Sequence, residues 1–337
     1  MVDTHRMGRH RRASSDRVTV PHSRPVKATA IIVAVATALL VIIAFVVYTP
    51  FRSAGVGPSP SQRQHLSTAS ASYIGLYARG VPASYAPVKA FTAATGVKPN
   101  MVVYYSGWIE PFQARFAATA ASKGAVPLVQ MNPTGVSIAD IAGGKYDTYL
   151  SAYAKAVRAY HQPVILSFGH EMNGYWYSWG YTHTSPKVFV AAWQHIVTLF
   201  RLQGAQNVTW LWTINTIHTH TRVPTPGPWW PGDSYVNWVG VDGYYTNSSS
   251  VFASVFGPTI VYLRKLTHHP ILISETSATP AVIQPAKISD IFAGVRLYRL
   301  LGFVWFNSVN KRDWRLSSPE AFAAFRHGAE QNRGRAS

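Results

Sequence analysis

Between residues 71 and 331 the chain has only five glutamates: Glu110, Glu171, Glu275, Glu320 and Glu330. Two of them end strongly apolar runs, VILSFGH before Glu171 and PILIS before Glu275. A carboxylate at the end of a buried strand faces a cleft rather than bulk water. A pair of such groups can share acid and base work, one holding a proton for a leaving oxygen and the other ionised to attack or to activate water. Glycosidic bond cleavage requires that division. The bland alternative is a pair of buried acids neutralised by Arg or Lys. Glu110 is expected to open the helix after the second strand, and Glu320 and Glu330 to lie on the last helix, where solvated charge accounts for all three.

The surroundings of the two carboxylates are aromatic. Trp176 and Trp179 follow Glu171 in GYWYSWG, Trp108 follows the second apolar run, Tyr244 and Tyr245 follow the sixth, and Trp305 lies in the eighth. Trp229 and Trp230 come just before the sixth run. Sugars present apolar C–H faces that such rings bind, while polar groups at the edges read the hydroxyls. A single Trp is more simply core filling; several in strand-end loops point to a saccharide groove.

Eight short runs rich in β-branched and aromatic residues must position these groups: 73–77, 101–105, 127–131, 164–168, 208–213, 238–242, 270–274 and 303–306. Helix-like segments alternate with them, notably 149–160, 186–202 and 289–301. In 186–202 the residues Phe189, Trp193, Ile196, Val197 and Phe200 make one apolar stripe. Runs buried on both faces and alternating with helices imply a parallel sheet, and eight units in about 260 residues have the size of a (β/α)8 TIM barrel of the α/β class. No Gly-rich phosphate fingerprint follows the first run, which weighs against an open doubly wound sheet.

Three segments resemble glycoside hydrolase family 26, best known for β-mannanases. They are HEMNGYWYSWG (170–180), WWPGDSYVNWVGVDGYY (229–245) and PILISET (270–276). The resemblance covers most of residues 71–331 and implies a retaining double displacement. Glu275 would be the nucleophile and Glu171 the acid/base. His170 would be a hydrogen-bonding partner beside the acid, and Tyr244 would donate to the nucleophile. Trp176 and Trp305 would shape the subsites around the cleaved bond; Trp179 and Trp108 count as further binding residues from their place in strand-end loops, apart from the resemblance. The chain departs from the family pattern at Ser167-Phe168-Gly169, where many members carry an Arg, and at Asn237, where an Asp is common. The acid should hold its proton near neutral pH through desolvation and the charge of its partner.

Other chemistries find no anchor. There is no Cys, which excludes disulfides, Cys-ligated metal centres and a cysteine nucleophile. HEMNG fails the zinc-protease pattern because position 174 is Gly174. His218 and His220, and His268 and His269, are read as loop residues rather than metal ligands. No G-x-S-x-G elbow occurs. Asp242 is read as a structural barrel residue that could orient loops. No cofactor is expected, and the sequence does not fix an oligomeric state.

Residues 28–48 are 21 uncharged residues, ATAIIVAVATALLVIIAFVVY, long enough as a helix to cross a bilayer. Residues 1–27 hold seven basic and two acidic side chains, so the positive-inside rule keeps them cytoplasmic and exports the remainder of the chain. The expected organisation is a basic tail (1–27), a transmembrane signal-anchor (28–48), a flexible linker (49–70), a catalytic barrel (71–331) and a frayed tail (332–337). A cleaved signal peptide is the alternative to the anchor. The whole chain carries a formal charge of +18, but its basic residues form no stripe or nucleic-acid module. The sequence therefore describes a membrane-anchored glycosidase acting outside the cell on a β-linked polysaccharide, β-1,4-mannan first and a mixed β-glucan second. The competing reading is a barrel that binds or processes exported polymer with little turnover.

Overall fold

A computed structural model of the protein describes residues 66–217 and 223–333. The basic tail, the apolar segment 28–48, most of the linker and both His218 and His220 lie outside the described residues. Among those described, no helix is long and apolar enough to cross a membrane.

Eight parallel strands close into a barrel in sequence order: β1 (Tyr73–Ala78), β2 (Met101–Gly107), β3 (Val126–Asn132), β4 (Val164–Phe168), β5 (Val208–Asn215), β6 (Trp238–Asp242), β7 (Ile271–Thr276) and β8 (Gly302–Asn307). The helices are α1 (Ala86–Thr95), α2 (Ala114–Ser122), α3 (Ile138–Ala142), α4 (Asp147–Tyr160), α5 (Pro186–Leu202), α6 (Phe252–Val255), α7 (Gly257–Leu266), α8 (Gln284–Leu297) and α9 (Pro319–Arg333). The eight expected strands are all present, several of them one or two residues longer than the apolar runs. β7 reaches Thr276, so Glu275 lies within its strand rather than after it.

Helix α5 shows why the pattern is readable. Ser185 caps it by accepting from the Val188 N–H, Pro186 opens it, and the expected stripe of Phe189, Trp193, Ile196, Val197 and Phe200 is buried. Helix α8 differs from expectation, starting at Gln284 and stopping at Leu297. Pro285 supplies its first turn, and Arg299 adopts a left-handed φ of 48° that ends the helical run before β8. Glu110 does not open a helix. It lies in the β2–α2 loop, where its Oε2 accepts from the Gly107 N–H at 2.8 Å. The folded region begins by Leu66, which packs on the barrel end beside Tyr73, and α9 continues to Arg333.

Alternation along each strand separates two cores. Tyr73, Met101, Val103, Leu128, Ile165, Leu211, Trp238, Leu272 and Val304 fill the N-terminal end of the interior. The residues between them face the helices. Above this layer lie small polar residues. Ser167 Oγ donates to Thr213 Oγ1 at 3.1 Å, and Gly240 leaves room between Thr213 and Ser274, where a Cβ would meet either hydroxyl at 2.5 Å.

The last strand is held hard against the first. Gly302 has φ 152°, and a Cβ there would lie 2.0 Å from the Tyr73 carbonyl oxygen. Gly302→Ala is expected to lower stability by about 3 kcal/mol or more, read as a fall in the urea midpoint; an unchanged midpoint would mean that this seam yields without cost.

Candidate active site

The C-terminal ends of the strands carry the reactive groups. Parallel strands put all of these ends on one rim, so eight separate segments can contribute to a single cavity. On β4 the strand stops at Phe168, and Gly169 (φ 56°) and Glu171 (φ 54°) then turn the backbone through left-handed conformations. A Cβ at 169 would lie 2.9 Å from the Phe189 ring, so the first of these positions needs glycine. The Glu171 N–H is fixed to the Thr213 carbonyl at 2.9 Å. A left-handed glutamate stabilised only by its surroundings is typical of a functional position.

Glu275 reaches the same mouth by another route. Val241 pairs with Ile273, yet Asp242 pairs with Glu275. On the other side Ile273 pairs with Phe303 and Thr276 with Trp305. Strand β7 thus carries one extra residue against both neighbours, a bulge of the kind that re-aims side chains. Ser274 Oγ donates to Asp242 Oδ1 at 2.6 Å, and Glu275 turns towards the mouth, where Tyr105 on β2 and Tyr244 after β6 meet it. Tyr244 donates to Oε2 at 2.6 Å, and Tyr105 donates to Oε1.

Glu171 has a different set of partners. The indole N–H of Trp176 donates to its Oε2 at 2.7 Å and the amide of Asn215 to its Oε1 at 2.6 Å. Asn215 is itself held by Asn173, whose Oδ1 accepts from the Asn215 N–H and whose Nδ2 donates to its carbonyl, both at 2.9 Å. Beside Glu171, His170 is buried and its pKa is lowered to about 3 by desolvation, so the ring is neutral. With Asn132 Oδ1 accepting at 3.0 Å, Nδ1 carries the proton, and Nε2 accepts from the Tyr177 hydroxyl at 3.1 Å.

No salt bridge among the described residues involves Glu171 or Glu275. The Arg- or Lys-neutralised alternative therefore gives way to one in which amide, indole and phenol groups are the partners. Burial pushes the Glu171 carboxyl up to about 8, with the nearby Glu275 charge adding to it and the Asn215 and Trp176 hydrogen bonds opposing it. Glu275 is also raised by desolvation, but its two phenols pull it back. The two phenol donors let Glu275 ionise first, and its charge then adds to burial in keeping the proton on Glu171. Tyr105 and Tyr244 are both held well above the usual phenol range, first by burial and then by the Glu275 charge, so they remain donors. Asp242, buried beneath the pair, is also pushed well above the carboxylate range by desolvation.

The structure brings together Glu171, Glu275, His170, Trp176 and Tyr244. The remaining aromatic candidates lie elsewhere. Trp305 is 0% exposed and packs its ring on Phe325 of α9, because Val304 and Phe306 take the inward positions of β8. Trp108 is 8% exposed, with its ring against Tyr146, Tyr149 and Phe168. Trp179 is buried, stacked on Tyr177, and donates to the His170 carbonyl at 2.8 Å. None of these three presents a face to a ligand; Trp179 supports the His170 backbone. Of the Trp residues in question, Trp176 is the one left substantially open, at 38%.

Sequence reasoning missed Tyr105, Asn215, Asn173, Tyr177 and Phe306. Phe306 belongs to an aromatic wall in which Tyr77 meets Tyr105 and Phe306 with ring centroids 4.9 and 4.8 Å away, and Tyr244 meets Phe306 and Trp314 at 6.0 and 4.7 Å. A usable signal existed for Tyr105 and Phe306, since each continues the inward parity of its strand (Met101, Val103, then 105; Val304, then 306). No convergence of three or more His, Asp or Glu suited to a metal occurs among the described residues.

If the Glu275 charge helps hold the proton on Glu171, Glu275→Gln should move Glu171 titration below about 8 without returning it to the ordinary value, because burial remains. Infrared titration of the carboxyl band reads this shift; an unmoved band would leave desolvation as the sole cause.

Comparison with known proteins agrees with this geometry. The sequence model for "Glycosyl hydrolase family 26" matches residues 84–279. The chain is 29% identical over 264 residues to endoglucanase H of Acetivibrio thermocellus, covering 73% of this chain and 29% of that protein. It is 26% identical over 166 residues to a β-1,3-xylanase of a Vibrio species, covering 46% of this chain and 35% of the relative. The chain thus spans about a third of the length of these curated relatives. Its fold is like that of a family 26 β-mannanase from Bacteroides ovatus, with a TM-score of 0.60, 15% identity, and coverage of 78% of this chain and 90% of the other. A match over more than half of the sequence, including the strands that lead to both carboxylates, makes this chain a member of glycosyl hydrolase family 26.

Proposed function

We propose that the protein is a retaining glycosidase that cleaves a β-linked polysaccharide, with Glu275 as nucleophile and Glu171 as acid/base. The observation that carries this reading is the unequal hydrogen bonding of two equally buried carboxyls. Glu275 has two phenol donors, one on each oxygen, and these stabilise it ionised. Glu171 is held protonated by burial next to that charge.

In the first step Glu171 gives its proton to the glycosidic oxygen as Glu275 attacks the anomeric carbon, forming a glycosyl ester and releasing the first sugar chain. In the second step Glu171, now ionised, takes a proton from water as the water oxygen attacks the same carbon and frees Glu275. Two inversions leave the anomeric configuration unchanged. Tyr105 and Tyr244 must loosen as the carboxylate becomes an ester, so their hydrogen bonds are strongest in the resting and departing states. Trp176, open to solvent and bonded to Glu171 through its N–H, can stack on a sugar while orienting the acid.

A β-1,4-mannan is the leading substrate, supported by the family's β-mannanase likeness. The match to an endoglucanase over 264 residues keeps a mixed β-glucan as the second. The apolar segment 28–48 and its basic flank support a single-pass anchor with the barrel outside the cell.

Four outcomes are expected. A 2-fluoro-substituted activated mannoside or glucoside should add one glycosyl mass to the Glu275 peptide, whereas labelling of another residue would refute the assignment. Glu171→Ala and Glu275→Ala should each abolish cleavage, by about 10³-fold or more, with thermal stability close to the parent; full activity in either would overturn the pairing. The profile of kcat/KM should fall on its alkaline side with a midpoint about 8, the value for protonated Glu171 in the free enzyme. Asn215→Ala removes a donor to the ionised form and should move that midpoint upwards; a downward move would contradict the role given to Asn215.

A further inference from the structure

The end of the barrel opposite the carboxylate mouth is strongly cationic. Lys98 precedes β2 and Lys123 follows α2; Arg158 is in the last turn of α4, Arg264 and Lys265 are in the last turn of α7, and Arg299 follows α8. All six are exposed. In a barrel of parallel strands and returning helices, strand starts and helix ends share one face, so these residues lie together at the N-terminal end of the barrel.

The acids on that face are Asp233 and Glu330. Asp233 is engaged by Thr267 Oγ1 at 2.7 Å and lies 3.4 Å from His269. Complementing helix dipoles accounts for Arg158, Arg264 and Lys265. It extends to Lys123, the C-cap of α2, and to Arg299, just past the C-cap of α8, but does not account for Lys98.

Two further features belong to this face. Leu66, where the described chain begins, packs there beside Tyr73 and Val126. A cavity of about 260 Å³ opens there, lined by Leu66, Tyr73, Pro127, Tyr160 and Gln162 among others. In the sequence only residues 49–65, 17 in all, separate Leu66 from the apolar segment that ends at Tyr48. A chain of that length has a root-mean-square reach of roughly 20–25 Å if flexible, less than the span of the barrel with its helices.

We propose that the cationic N-terminal face of the barrel lies against an anionic phospholipid bilayer, so that the carboxylate mouth faces away from the membrane. The inference rests on residues 28–48 acting as a membrane anchor and is independent of the glycosidase chemistry. Basic residues near an anionic surface are attracted within about a Debye length, some 8 Å at physiological salt. The chain enters the barrel on this face at Leu66, so a short tether lets this face, rather than the mouth, come within that distance. A long polymer could then enter the mouth without crossing lipid.

The chain has no Cys, so single labels can be placed without background. In the full-length protein, Gln162→Cys puts a fluorophore on the cationic face and Thr134→Cys puts one in the loop after β3, at the mouth. The protein is reconstituted into nanodiscs of phosphatidylcholine alone or of phosphatidylcholine with phosphatidylglycerol, each carrying a headgroup-attached quencher. The label at 162 should be quenched about threefold or more in the anionic discs relative to the zwitterionic ones, and the label at 134 in neither. Combining Lys98→Glu, Lys123→Glu and Lys265→Glu should abolish the difference while the chain still elutes with the discs. Equal quenching at 162 in both discs, or persistence in the charge-reversed protein, would overturn the attraction of this face to anionic lipid, and quenching at 134 would overturn the orientation. A chain that elutes with neither disc would instead overturn the anchoring by residues 28–48 and remove the basis of the orientation with it.

Discussion

Two carboxyl groups share one buried mouth with no salt-bridged cation among the described residues, and the rest of the site is organised around that cost. Desolvation would push both towards the neutral form. The chain breaks the tie with neutral donors, two to each group, whose acidity differs: two phenols for Glu275, an indole and an amide for Glu171. Neutral donors stabilise charge without cancelling it, so the field of Glu275 still reaches Glu171 and keeps it protonated. An Arg beside Glu171 would favour its ionised form and narrow the difference between acid and nucleophile.

These donors depend on a scaffold with little freedom to move. Asn215 is gripped by Asn173 through two backbone contacts. His170 is wedged between Asn132 and Tyr177, and Trp179 stacks on Tyr177 while holding the His170 carbonyl. The result is a second ring of side chains around the mouth, none charged, each fixing the direction of a neighbour. Directional hydrogen bonding, rather than ion pairing, gives the site its shape.

Much of this is legible in the sequence. The eight apolar runs, their alternation with helices, the stripe on α5 and the placement of Glu171 and Glu275 after strongly apolar segments follow from burial and periodicity, which act locally. Tyr244 is identified through the family resemblance, and the structure puts it on Glu275. What escapes is information carried by parity and by contacts between distant segments. Trp305 reads as a rim residue until Val304 and Phe306 are seen to face inwards, which turns its ring towards Phe325 on α9. Tyr105 looks like one more aromatic in MVVYYSG, and only the inward positions of Met101 and Val103 point it at the mouth. Asn215 and Asn173 are polar residues of no distinctive spacing, and their role emerges only where β5 meets the loop after β4. The clustering of Trp residues overstates the groove because Trp108 and Trp179 are recruited to packing.

The irregularity in β7 has a wider meaning. In the other strands, changing a residue's type alters what lines the cavity while its direction is kept by alternation. At Ser274 and Glu275 direction itself is set by a surplus residue, counted against both neighbouring strands. Function at this place is stored in a length. Drift in amino-acid type along β7 can be absorbed, but a single-codon deletion there would rotate the reacting group away from the cavity while leaving an intact, well-packed and inert barrel.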